Sequence, residues 1–169
     1  MKYISSDTNI WFDFLMIDQI ELPFKLDYTY LIHHEVLDKE AIHPPGLTDK
    51  LIRLGLVKTE MDTEEFYDVF QLSERYNRIS IYDAIALSIA KHRKIPVLTG
   101  DKALRKAAQH ENVMVLGTLG LLDEAYYGEK ISGKEYLSCL DGFLGHPERR
   151  LPVDEIQLRI KNIKEKGRG

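Results

Sequence analysis

Five short runs of strand composition, each leading into a segment with helix-capping residues or helical spacing, constrain this chain more than any other feature. Lys2 to Ser6 reads as a strand, and Asp7-Thr8-Asn9 then caps a helix carrying Ile10, Trp11, Phe12, Phe14 and Leu15. Tyr28 to His33 has strand composition, and Glu35 to Ile42 reads as a helix that Pro44-Pro45 stops. Leu47 to Leu54 reads as a short helix ending at Gly55, with Leu56 to Thr59 as a third strand. Thr63-Glu64-Glu65 opens a helix running to about Tyr76. Ser80 caps the next, Ile81 to Ala90, which turns basic at Lys91-His92-Arg93-Lys94 and so suits its own dipole. Pro96 to Thr99 is a fourth strand, Lys102 to His110 a helix and Val113 to Leu116 a fifth strand. The rest, Leu119 to Tyr127, Ser132 to Leu144 and Val153 to Lys166, reads as helices.

Strands alternating with helices imply an α/β fold with a mainly parallel five-stranded sheet, covered on both faces through right-handed crossovers. Ligands of such sheets bind in a crevice at the carboxyl ends of the strands. With 169 residues, 44% of them hydrophobic, the chain is long enough for one real core. The only cysteine, Cys139, has no partner for a disulfide and cannot build a cysteine-based zinc site, which fits a reducing, cytoplasmic setting. No stretch approaches the length of apolar sequence that a membrane span needs. The formal charge of −4 argues against a protein that coats nucleic acid through a broad basic surface. It leaves room for a nuclease, because carboxylates that hold cations contribute their own negative charge.

Three aspartates fall where the crevice is expected. Asp7 follows the first strand, Asp101 follows the fourth, and Asp83 lies in the first turn of the helix before the fourth. The Asp83 helix is apolar almost all round and therefore buried, where an ionised carboxylate needs a cation or several hydrogen bonds. Carboxylates drawn together raise one another's pKa unless a divalent ion neutralises them. Ligation by oxygen alone points to Mg²⁺ or Mn²⁺, and such ions suit hydrolysis of a phosphodiester. Each acid also has an ordinary reading: Asp7 and Asp101 stand where helix N-caps stand, and Asp83 where a solvated helix-start carboxylate would. The joint pattern favours a site.

Ile4-Ser5-Ser6-Asp7-Thr8-Asn9, the Tyr82-Asp83-Ala84-Ile85-Ala86-Leu87 helix and Pro96-Val97-Leu98-Thr99-Gly100-Asp101-Lys102-Ala103-Leu104 together resemble the PIN-domain family, including the VapC-like toxin ribonucleases. The likeness runs from about Tyr3 to Leu122, and its third block is the most distinctive. It implies a three-layer α/β/α fold with strand order 3-2-1-4-5, residues 1–122 as the nuclease domain and 123–169 as a helical extension packed on it. It also implies Asp7, Asp83 and Asp101 as catalytic metal ligands, joined by a glutamate from the helix after the second strand. Glu40 is preferred for that place over Glu35 and Asp38. Glu35 and Glu40 are five residues apart, roughly 500° of helix, so one of the two reaches the metal.

Asn9 and Thr99 are similar to the small polar residues the family sets beside its acids; the alternative is that Asn9 belongs to the cap and Thr99 ends a strand. Lys102, next to Asp101, is placed to meet a phosphate, while most other basic groups (Lys91 to Lys94, Arg105, Lys106, Arg149 and Arg150) are expected to lie on solvated faces. His33 and His34 are not promoted, because adjacent strand side chains point to opposite faces. The resemblance further implies an RNA substrate, a homodimer and, for toxins, an antitoxin protein. DNA remains open as substrate, since nothing reads a 2′-hydroxyl.

Two other enzyme classes fit less well. A receiver domain would place a phospho-acceptor aspartate after the third strand, which has none. A phosphatase of the haloacid dehalogenase type would repeat the first aspartate two residues on, where Asn9 stands. The rival from outside enzymology is a PIN-like domain that binds RNA or protein without cutting.

Overall fold

The computed structural model describes residues 2–40 and 43–167, and divides into two compact units. The first comprises Met1–Ile10 and Asp27–Gly117; the second comprises Trp11–Leu26 and Thr118–Gly169.

The first unit is built on a five-stranded parallel sheet: β1 (Lys2–Ser6), β2 (Tyr28–His33), β3 (Val57–Thr59), β4 (Val97–Leu98) and β5 (Val115–Leu116), in the order β3-β2-β1-β4-β5. The α/β class and the strand order are those expected, including the short third strand. Helix α1 (Asn9–Met16) starts in this unit, and α2 (His34–Glu40) and α3 (Leu47–Leu54) lie between β2 and β3 in the chain. Ala41 and Ile42, which the sequence places at the end of α2, lie outside the described residues. Helices α4 (Thr63–Arg75) and α5 (Ile81–Arg93) precede β4, and α6 (Lys102–His110) joins β4 to β5. The buried centre includes Ile4, Tyr30, Ile32, Leu37, Leu72, Leu87, Val97 and Leu98.

Helix α5 is the pivot of this unit. Ala84 to Ala90 are buried without a break, because α5 packs against α4 and also against β1, β2 and β4. Small residues on a helix surrounded in this way let its neighbours approach, and two serines fix the approach. Ser5 Oγ donates to the Ala86 carbonyl at 2.7 Å, and Ser88 Oγ to the Glu65 carbonyl at 2.6 Å. At the basic end of α5, where solvated faces were expected, Lys91, His92 and Arg93 have acid partners, while Lys94 is exposed. Arg93 Nε meets the buried Glu65 at 2.6 Å, while Lys91 and His92 meet Asp68 at 3.0 and 2.9 Å. Those side chains fasten α5 to α4. The cap of α4 is also one residue earlier than the sequence suggests: Asp62 accepts from Glu65 N–H at 2.8 Å, and Glu65 accepts in return from Asp62 N–H at 3.0 Å.

In the second unit, α1 continues from Trp11 and is followed by a 3₁₀ turn at Leu22–Lys25. Helices α7 (Thr118–Tyr127), α8 (Gly133–Leu144) and α9 (Val153–Lys166) complete it. Trp11 stacks on Phe24 at 5.2 Å, Phe14 meets Phe143 edge-on at 6.0 Å, and Tyr126 stacks on Tyr136 at 4.5 Å. Its buried acid, Asp13, accepts from Thr118 Oγ1 at 2.6 Å and from Arg149 Nε at 2.7 Å. Burial raises the Asp13 pKa, and these two partners oppose the rise. No helix among the described residues is long and apolar enough to cross a membrane.

Candidate functional site

The register of β1 on β4 sets Ser5 opposite Val97 and Ser6 opposite Leu98, so the residues leaving the two carboxyl ends meet. Asp7 N–H donates to the Leu98 carbonyl at 3.0 Å. Thr99 Oγ1 donates to Asp7 Oδ2 at 2.5 Å and accepts from Asp101 N–H at 3.1 Å, so one buried threonine ties the two aspartates together. Asp7 Oδ1 accepts from Asn9 N–H at 2.6 Å, the side-chain-to-backbone turn that starts α1. Asp101 is exposed and caps α6, its Oδ1 accepting from Leu104 N–H at 2.8 Å.

Asp83 is half-buried at the third position of α5. Its Oδ2 accepts from Ser80 N–H at 2.9 Å, and its own N–H donates to Ser80 Oγ at 3.0 Å. This capping box holds one carboxylate oxygen and sets the side chain's direction. Glu40 closes α2, and Thr8 Oγ1 donates to its Oε2 at 2.5 Å. Its two rivals go elsewhere. Asp38 is exposed and pairs with Lys58 at 3.1 Å, and Glu35 is exposed and acts on the charge of His33.

The four acids act on one another. Asp7, only 4% exposed, has its pKa pushed up to about 7, mainly by burial. The bonds from Thr99 and Asn9 oppose that rise, while the charges of Asp83 and Glu40 add to it. Asp83 is raised too, first by burial and then by the charge of Asp101, against the bonds to Ser80. Among the described residues, no Lys, Arg or His forms an ion pair with any of the four. Among the described residues the four acids thus form an acidic group without an ion-paired counter-ion.

Oxygen donors in this number fit a hard divalent ion. No three of the four bring oxygens within 4.8 Å of one another among the described residues. Asn9 is exposed at the start of α1, and Lys102 is exposed beside Asp101, where α6 also shows Arg105 and Lys106 to solvent.

Two positioning residues were not singled out from sequence. Thr8, beside Asp7, holds Glu40, and Ser80, read only as a cap, holds Asp83; in both cases the signal is a hydroxyl one residue after or three residues before an acid. Ser80→Ala is expected to cost about 1 kcal/mol, as loss of an N-cap does. In a protein of this size that is a fall of roughly 2–4 °C in melting temperature, which a thermal melt would measure.

The histidines depart from expectation. His33 ends β2 but His34 begins α2, so strand alternation does not apply across the pair, and their rings lie 4.4 Å apart. Both lie on the same side as Glu60, which follows β3.

A family model described as a PIN domain matches residues 3–165, which extends through both units. No curated protein and no solved structure matches the chain.

Proposed function

This chain belongs to the PIN-domain family, whose members are in general nucleases that use divalent metal ions, and from that premise we propose that it is an endoribonuclease dependent on Mg²⁺ or Mn²⁺. The observation that supports this most is the electrostatic coupling of the acids, Asp83 and Glu40 raising the pKa of Asp7 and Asp101 that of Asp83, with no ion pair to any of the four among the described residues. These four residues would hold the ion. When bound, it would neutralise charge on a phosphate oxygen and acidify a water.

The chain's own groups do the positioning. Thr99 spends its proton on Asp7 and its lone pair on Asp101 N–H, so it aligns both acids before any ligand arrives. Ser80 and Thr8 do the same for Asp83 and Glu40. Lys102, Arg105 and Lys106 line the exposed face of the helix that Asp101 caps and would meet the RNA backbone through its phosphates. Asn9, exposed beside Asp7, is assigned to substrate or water orientation.

Residence in the cytoplasm, a homodimer and a toxin role with an antitoxin partner are the finer parts of the proposal. The exposed Phe66, Tyr67 and Phe70 of α4 support a protein partner, since a contiguous aromatic surface is commonly covered. The test of the core proposal is incubation of RNA and DNA strands of one sequence with the purified protein, in Mg²⁺, in Mn²⁺ and in a chelator. Cleavage of RNA only when a divalent ion is present is the expected result. An intact RNA that nevertheless binds would favour the non-cutting binding module instead.

A further inference from the structure

The carboxyl edge of the sheet holds a second cluster of donors, two strands away from β4, with a different chemistry. One donor atom each from His33, His34 and Glu60 lies within 4.8 Å of the other two, the one such set among the described residues. The parallel register that pairs His33 with Thr59 brings Glu60 beside the end of β2, and the change from strand to helix at His34 turns both rings to that side. His34 Nδ1 stands 2.9 Å from Glu60 Oε1, and His33 Nε2 stands 4.0 Å from Glu60 Oε2.

These contacts are not those of a satisfied hydrogen-bond cluster. His34 Nδ1 is shielded from solvent and, despite its short distance to Glu60, is not aligned to share a hydrogen bond with it. His33 is 5% exposed, and its Nδ1 has no hydrogen-bond partner among the described residues. A buried polar nitrogen without a partner ordinarily costs free energy, so its persistence calls for a ligand or a role. An ion held among the three donors would give His34 Nδ1 the partner it lacks.

The backbone at Glu60 is held independently. Arg93 Nη2 donates to the Glu60 carbonyl at 2.6 Å and Nη1 to Thr59 Oγ1 at 2.9 Å, while Glu65 neutralises the guanidinium. The loop carrying the carboxylate is therefore fixed without use of the carboxylate itself.

We propose that His33, His34 and Glu60 form a site for a borderline transition-metal ion of the Zn²⁺ class, separate from the oxygen-only acid pocket. Two imidazoles and a carboxylate are a zinc-type donor set and a poor match for Mg²⁺. Three protein ligands leave coordination positions for water or for a phosphate oxygen. The site does not rest on the nuclease reading and stands or falls separately from it.

The test is calorimetric titration of the full chain with Zn²⁺ in saturating Mg²⁺, which occupies the acid pocket, together with the visible absorption of Co²⁺ in the same buffer. Wild type is expected to bind one Zn²⁺ and to give the strong visible bands of four-coordinate Co²⁺. His34→Ala and Glu60→Gln, both at accessible positions, should weaken Zn²⁺ by about tenfold or more and remove the bands. Asp83→Asn should change neither. No Zn²⁺ binding, or binding indifferent to both variants, overturns the proposal. So does binding lost in Asp83→Asn, which would put the ion among the acids.

Discussion

Metal-free Asp7→Asn is expected to be more stable than metal-free wild type at pH 8 and about equal to it near pH 4.5. The Asp7 carboxyl has an ordinary pKa of 3.8 and is raised to about 7 in the folded protein, first by burial and then by Asp83 and Glu40. Between those values the folded state keeps a proton that the unfolded state has released, so stability falls as pH rises through the interval. Above pH 7 the whole penalty is present, roughly 4 kcal/mol for a gap of this width. Asparagine removes the charge and with it the penalty. It also offers one acceptor oxygen where aspartate offers two, so the bond from Thr99 or from Asn9 N–H is lost, at about 1 kcal/mol. A net gain of about 3 kcal/mol at pH 8 is the expected balance.

Urea unfolding in chelator at the two pH values measures the gain, and the difference between variants cancels the parallel titration of Asp13, whose pKa is also raised. Adding Mn²⁺ should close the gap, because an ion at 100 times its dissociation constant stabilises wild type by about 2.7 kcal/mol, and a further tenfold excess, at about 4.1 kcal/mol, should reverse the order. An Asp7→Asn protein less stable than wild type at pH 8 without metal would mean that Asp7 is a satisfied structural group.

The largest effect on activity is expected from Asp83→Asn. Its amide oxygen still accepts from Ser80 N–H, so the capping box survives, while the negative charge facing the pocket does not. Withdrawing one ligand from an ion that stabilises developing phosphate charge removes several kcal/mol from the transition state, so RNA cleavage in Mg²⁺ should fall by at least about 100-fold in kcat/KM. Glu40→Gln should fall in the same direction. Asp38→Asn, on the same helix but paired with Lys58, should cleave like wild type. Equal loss in Asp38→Asn and Glu40→Gln would take the glutamate out of the site.

How much of this was legible in the sequence follows from the range of the interactions. Caps and periodicity are local, so the positions of β1, α5, β4 and α6 could be read from Ser80, Asp101 and the apolar runs between them. The same locality explains where the structure differs from the sequence pattern. Glu65 reaches back to Asp62, and that reciprocal pair, not Thr63, starts α4. The basic end of α5 looked solvated because its partners Glu65, Asp68 and Glu111 lie on other parts of the chain.

The sequence by itself determined the order of elements and placed Asp7, Thr99 and Asp101 at the carboxyl ends of their strands, because alternation, capping and strand termination are read within a few residues. Tertiary structure decided what those residues do to one another. The register of β1 on β4 made Thr99 a bridge between two aspartates, the direction of α2 brought Glu40 rather than Glu35 or Asp38 toward Asp7, and the break between β2 and α2 turned two histidines to one side. Burial and the sum of nearby charges raised Asp7 to about 7, and neither is a property of any short segment. Electrostatic and desolvation energies depend on distances between groups far apart in the chain, and only packing sets those distances.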